Sequence, residues 1–482
     1  MILKNRKRIY IFLFIYVSIL MLFCAGSSPL IDNMQVVDGS VFFCIGRSMV
    51  AGKVPYRDLF DHKGLYLYFF NYLGALISQD TTIGLFIVET IFMFINSVLL
   101  YEIAEYLFKN IWKNLLFVCI MLGFFLNFST YQSGDYAETF CITFQLISIL
   151  LLLKFFDSGS TKHSPIYMLI HGICVGIVFN MKANLILMWG GIAIGILGKL
   201  IIEKQYKNMF DNICFGLLGI VIGVIPVILY CLINECFIDM INDAFLFSYL
   251  YISDSIPVIQ KIKNIIFPRS AVWVVPLSTI SIILLCKTKI DKWKKTVILL
   301  SFIFSVICVY MAARAYMYYY EYIIVFLIPL VYILISRCSH LIINRKLLLY
   351  LSIPCLFFLT IRGNMNWGHL YITTSEKDTI SHVCSYIKEN IENYDNVFVS
   401  DDDAIYYNKL NVIPQCKYFF MPHPKQEMKD QITEYQKETI YRGDYDVIVC
   451  RSDHKHISSF GNKYIKCYEY SGEEVWILNS NS

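Results

Sequence analysis

Between Asp38 and Lys63 the chain reads DGSVFFCIGRSMVAGKVPYRDLFDHK, a density of charge that the rest of the front half lacks. A lone carboxylate such as Asp38 can take a proton from an attacking hydroxyl or ligate a metal. It can equally open the following segment, SVFFCIGRSMV, as a helix N-cap. Gly52 and Pro55 mark a turn. Beyond it, Asp58, Asp61 and His62 offer two carboxylates and an imidazole to a divalent cation, and Lys63 an ammonium to an anion. The same groups can also pair among themselves on a solvated loop. In STYQSGDYAETF, Asp135 and Glu138 stand at the mouth of a helix, where carboxylates also complement the helix dipole. Lys182, in VFNMKANL, separates two apolar runs. An ionisable residue there is a candidate for function and could hold a phosphate; the alternative is snorkelling to water. In AARAYMYYYEYIIVFLIPL, Arg314 and Glu321 flank a tyrosine cluster that includes Tyr319. Guanidinium binds oxyanions bidentately, and tyrosines at a helix end also suit an interfacial aromatic belt.

The elements that must position these groups are apolar. The chain has 482 residues, 57% hydrophobic and 16% charged, whereas soluble domains carry about a quarter charged residues. Such a composition cannot cover a water-facing surface, and a multi-spanning α-helical membrane protein is expected. About eleven runs could span: roughly 9–25, 82–108, 114–129, 137–154, 165–181, 183–200, 209–236, 271–286, 296–313, 318–336 and 347–361. The stretch 65–78, aromatic-rich and broken by Asn71 and Gly74, reads as an interfacial or re-entrant helix. Basic residues at 1–8, 109–113, 155–164, 201–208, 287–295 and 337–346 place those connections inside, so the N-terminus is expected in the cytoplasm. The loops 26–81 and 237–270 and the tail 362–482 then lie outside. The first apolar run has a poor cleavage site and reads as an uncleaved helix.

A net charge of +4 does not point to nucleic acid, and none is expected as a partner. The sixteen cysteines have no metal-type spacing. Cys384, Cys416, Cys450 and Cys467 in the tail could pair if it is extracytoplasmic. From Arg362 the composition turns polar. TISHVCSYIKENI has helical periodicity, NVFVS and YDVIVC read as strands, a second amphipathic stretch lies near 425–440, and VWIL suggests a third strand. The expected organisation is a transmembrane domain over 1–361, with the outer loop 26–81 bearing the active site, and a small α/β domain over 362–482.

In this order the pieces resemble the bacterial membrane glycosyltransferases of the GT-C class, of the protein-mannosyltransferase-like or aminoarabinose-transferase-like type (glycosyltransferase family 39). The resemblance rests on Asp38 followed by GKVPYRD and LFDHKG, on SGDYAETF, on the glycine-rich GICVGIVFNMK, and on RAYMYYYEYIIVFLIP. It covers about residues 1–361. It implies transfer of a hexose or pentose, with inversion, from a polyprenyl-phosphate-linked donor to an envelope glycan, lipid or protein acceptor at the outer face. Asp38 would be the base; Lys182, Arg314, Lys63 and Tyr319 would meet the donor phosphate; Asp58, Asp61, His62, Asp135 and Glu138 would shape the site. Relatives often carry two adjacent acids where Asp38 is followed by Gly39, so a divalent metal, with Asp61 and His62 as candidate ligands, is not required by the motif. The alternatives are a transporter or flippase for a lipid-linked or polar solute, and a polysaccharide polymerase or ligase. A transporter would place charges at mid-membrane and show internal repeats; here the charges gather at the outer helix ends and no repeat is evident.

Overall fold

The computed structural model describes residues 2–30, 37–132, 134–252, 257–266, 271–311, 316–338, 345–364, 375–400, 404–422, 426–451 and 463–479. Arg314 and the acidic turn 401–403 lie outside the described residues. The chain forms two compact units. One comprises Met1–Ala25, Glu89–Val227 and Ser255–Met365; the other comprises Gly26–Val88, Ile228–Asp254 and Asn366–Ser482.

Among the described residues, seven helices are long and apolar enough to cross a membrane: Arg6–Cys24, Ile83–Phe108, Ala137–Asp157, Ala183–Ile202, Tyr206–Ile233, Lys292–Met311 and Met317–Arg337. Each matches an expected run. The other four expected runs form shorter apolar helices, Ile111–Phe125, Pro165–Phe179, Val274–Cys286 and Ser352–Gly363. The protein is therefore a multi-pass, mainly helical membrane protein. Helices suit lipid because they satisfy every backbone hydrogen bond internally.

The glycine-rich pattern before Lys182 has a packing cause. A Cβ on Gly172 would lie 2.2 Å from the Gly216 carbonyl oxygen, and one on Gly219 would lie 2.1 Å from that of Leu169. Helices Pro165–Phe179 and Tyr206–Ile233 thus touch backbone to backbone, as small residues permit between helices in lipid. That crossing fixes the helix whose end presents Lys182.

Met317–Leu327 departs from the expected α-helix. It is an eleven-residue 3-10 helix that continues as the α-helix Ile328–Cys338. Runs of this kind longer than about four residues are uncommon, and three residues per turn eclipse side chains three apart. Tyr318 and Glu321 therefore share one line, Tyr319 and Tyr322 the next.

In the second unit, helix Val37–Val50 packs on Leu65–Ile77 and on the short helix Ile405–Leu410. Leu65–Ile77 has 13 residues, about 20 Å of helix, too short for a bilayer core of about 30 Å. The tail carries a four-stranded sheet in the order β1-β2-β4-β3, with β1 Val397–Ser400, β2 Val447–Arg451, β3 Tyr464–Tyr470 and β4 Glu473–Leu478. β1 and β2 run parallel, with Val397 opposite Val447; the other pairs are antiparallel. Helices Ser375–Asn390 and Gln426–Arg442 fall where the amphipathic stretches predict them. Phe398, Ile440, Tyr445 and Ile448 form the core together with Cys416 and Cys450. All four tail cysteines are free thiols.

Candidate active site

Two clusters of charged side chains collect most of the candidate residues, one in each unit. In the first unit the chain turns through Gly134 and Asp135, both with positive φ (82° and 58°), before helix Ala137–Asp157. Glycine is required at 134: a Cβ there would lie 2.5 Å from both Glu89 Oε1 and the Tyr131 hydroxyl. Glu138 follows in the first helical turn, 2% exposed. Its Oε1 accepts a hydrogen bond from Lys182 Nζ at 2.5 Å, and the lysine side chain is 15% exposed. Lys182 stands where Pro165–Phe179 has ended and a short 3-10 turn begins, in extended backbone (φ −160°, ψ 109°). The same ammonium lies 3.9 Å from the centroid of the Tyr319 ring and 5.6 Å from that of Tyr318, a cation–π seat.

The 3-10 helix explains this convergence. Tyr318 stacks on Tyr136 at 4.0 Å and 8°, and Glu321 accepts from Thr139 Oγ1 at 2.8 Å, so that line faces the start of helix Ala137–Asp157. The next line faces the Lys182 turn: Tyr319 lies under the ammonium, and Tyr322 donates to the Leu185 carbonyl at 2.6 Å. Glu89, Asp135, Glu138 and Glu321 are each no more than 3% exposed. Glu89 and the stacking partner Tyr136 were not singled out from the sequence, where neither has a local partner to betray it.

In the second unit the loop after Gly52 (φ 88°) folds on itself. Asp58 Oδ2 accepts from the Val54 amide at 2.7 Å, and Asp58 pairs with Arg57 at 2.9 Å. The Arg57 hydrogen bond holds the Asp58 carboxyl below its ordinary range, against burial. Asp61 is 2% exposed. Its Oδ1 accepts from the His62 amide at 2.7 Å and lies 3.1 Å from His62 Nδ1, while its Oδ2 accepts from the Tyr68 hydroxyl at 2.8 Å. His62 Nε2 lies 2.8 Å from Lys63 Nζ. Burial alone would raise the Asp61 carboxyl, but His62, Lys63 and Tyr68 outweigh it and hold it below its usual value. Burial, then the Lys63 charge, depress His62. His62 thus presents Nδ1 to Asp61 Oδ1 and Nε2 to Lys63 Nζ, which ties the three side chains together.

Asp38 lies in the first turn of Val37–Val50, half-buried, and its charge is felt at His62. Ser40, half a turn on, binds the short helix Ile405–Leu410 through the Ala404 amide (3.1 Å) and the Asn408 side chain (2.9 Å). Arg47, 1% exposed, donates to the Tyr407 carbonyl and to Asn408 and Asn411 at the C-terminal end of that helix, where positive charge meets the helix dipole. The helix carrying Asp38 is thus anchored along its length.

The Asp61 oxygens accept from the His62 amide and the Tyr68 hydroxyl, and His62 Nε2 faces Lys63 Nζ. Among the described residues no three His, Cys, Asp or Glu side chains gather as metal ligands would. The buried Asp243, unremarked in the sequence, sits in a π-helical turn, Ile241–Leu246, 3.2 Å from Lys417. Burial raises its carboxyl to about 6 despite Lys417.

The fold is that of two solved structures. ArnT from Cupriavidus metallidurans bound to undecaprenyl phosphate aligns over 98% of both chains, with a TM-score of 0.64 and 10% sequence identity. Its apo form aligns over 98% of both chains, with a TM-score of 0.63 and 10% identity. The GT-C fold expected from the sequence is therefore the fold of this chain. No curated protein matches in sequence. Residues 3–346 match the family described as the putative competence-induced protein Ccs4 N-terminal domain, and the chain belongs to that family.

Proposed function

We propose that the protein is a glycosyltransferase of the cell membrane, moving a sugar from a polyprenyl-phosphate-linked donor to an envelope glycan, lipid or protein acceptor at the outer face. The observation that carries this reading is the fold shared along 98% of both chains with ArnT, a protein whose structure holds undecaprenyl phosphate. The N-terminus is cytoplasmic and the tail extracytoplasmic in this reading, following the basic inner connections.

An inverting displacement needs a base at the acceptor hydroxyl and positive charge where the phosphate departs. Asp38 takes the acceptor proton as the sugar's bond to the phosphate oxygen breaks and its bond to the acceptor oxygen forms. Lys182 and Arg314 hold the phosphate, with Tyr319 beneath the Lys182 ammonium; Lys63, positioned by His62, adds a third cation. Asp58, Asp61, Asp135 and Glu138 shape the site. Glu138 has a further consequence, because an incoming phosphate competes with it for Lys182. The test is binding of undecaprenyl phosphate to the purified protein. Lys182→Ala and Arg314→Ala are expected to weaken it at least tenfold; unchanged affinity in both removes the phosphate clamp. Accumulation of a polyprenyl-phosphate sugar in a deletion strain would identify the donor.

A further inference from the structure

A cavity of about 500 Å³, lined by polar and apolar groups alike, opens in the unit formed by 26–88, 228–254 and 366–482, and none of the donor-site or base candidates lines it. Ligand sites commonly measure about 300–1,000 Å³. Its charged lining is Lys388 and Lys409 against one carboxylate, Asp80. Lys388 Nζ donates to the Lys409 carbonyl at 2.8 Å, and Lys409 Nζ to Ser381 Oγ at 2.8 Å. An ammonium has three donors, so Lys388, an exposed residue, keeps donors beyond that bond. Asp80 accepts from Asn411 Nδ2 at 2.5 Å. The Thr82 hydroxyl, which donates to the Ser27 carbonyl at 2.9 Å, adds an acceptor, Ser385 adds a second hydroxyl, and Phe43 and Ile405 supply an apolar wall.

Hydroxyls for hydroxyls, an apolar wall for a ring's C–H face and an excess of one positive charge describe one ligand class. We propose that this cavity is a carbohydrate site that takes a saccharide unit bearing one acidic group, a phosphate ester or a carboxylate, as part of the acceptor. The acceptor role rests on the glycosyltransferase reading; the saccharide site does not. The link between them is the helix Val37–Val50. Phe43 lines the cavity, Asp38 opens the same helix, and Asn408 of the cavity wall donates to the Ser40 carbonyl at 2.9 Å.

The test uses the full-length protein in lipid nanodiscs and isothermal titration with glucose 1-phosphate, glucuronate, glucose and inorganic phosphate. Saturable binding of glucose 1-phosphate or glucuronate is expected, at least tenfold tighter than glucose or phosphate; which of the two binds tells the acidic group. Ser385→Trp, filling the mouth, should abolish it, and Lys388→Glu should weaken it at least tenfold while Lys388→Arg retains it. Equal binding of inorganic phosphate, wild-type affinity in both Ser385→Trp and Lys388→Glu, or no saccharide binding at all would each overturn the site. Asp38→Asn should bind as wild type, so binding is read independently of transfer. If the site binds as expected and Ser385→Trp leaves the KM for a transferred acceptor unchanged, its acceptor role is overturned; a raised KM at constant kcat supports it. Binding without any transfer from a polyprenyl-phosphate sugar overturns the glycosyltransferase reading alone.

Discussion

The cluster at Glu138–Lys182–Tyr319 and the loop at Asp61–His62–Lys63 use the same groups, carboxylates and an ammonium beside aromatic rings, but are assembled in opposite ways. The loop closes within a few residues: Asp61, His62, Lys63 and Tyr68 satisfy one another. The other cluster joins residues 44 and more apart, from a helix start, a helix break and a 3-10 line, although the acids of both clusters are equally buried, 2% exposed. A local cluster tolerates the loss of one member because its neighbours remain. A buried pair assembled from distant elements leaves an uncompensated charge when either partner goes.

That contrast sets an order of effects. Glu138→Gln or Lys182→Met alone should cost about 3–5 kcal/mol of stability, and Glu138→Leu with Lys182→Met should recover most of it. Thermal unfolding in detergent would show this; single losses below ~1 kcal/mol would mean the pair is solvated like a surface bridge. Next comes Asp243, whose carboxyl acts on the Asp61 loop and is raised to about 6. The folded state binds its proton at higher pH than the unfolded chain, so stability falls as pH rises from about 4 to 6. Asp243→Asn should therefore be more stable than wild type at pH 7.5, on the order of 2–3 kcal/mol, with the gap closing near pH 4. A pH-independent difference would contradict the shift. Tyr68→Phe removes a hydrogen bond to a buried carboxylate and should cost about 1.5–2 kcal/mol; no change in unfolding midpoint would show that His62 and Lys63 suffice for Asp61. Arg57→Ala, at an ion pair whose arginine is 45% exposed, should change stability by less than ~1 kcal/mol, and a larger loss would erase the distinction between exposed and buried pairs.

The same contrast explains what the sequence disclosed. The loop was legible because its partners are neighbours: DHK after a Gly/Pro turn already names them. Lys182 stood out because it ends an apolar, glycine-rich run, and those glycines do set the helix crossing beneath it. Its pairing with Glu138 was not visible, since no periodicity relates a helix start to a helix break elsewhere in the chain. The tyrosine cluster suggested an α-helix with an aromatic belt. Only the 3-10 geometry sorts Tyr318 and Glu321 onto one neighbour, Tyr319 and Tyr322 onto another. In the tail the buried strands β1 and β2 announced themselves as apolar runs, whereas β3, YIKCYEY, buries only Tyr464 and carries no such signal. The span count divides similarly: seven runs are long enough to cross, and four form shorter apolar helices.

The central claim, that Asp38 is the base of a lipid-linked sugar transferase, meets its most direct test in vesicles holding the purified protein and a radiolabelled polyprenyl-phosphate sugar. Wild type should transfer the label to an envelope acceptor. Asp38→Asn, equally folded and equally inserted, should be slower by about 10²–10⁴-fold, the usual contribution of a general base. Transfer by Asp38→Asn at the wild-type rate would contradict the account.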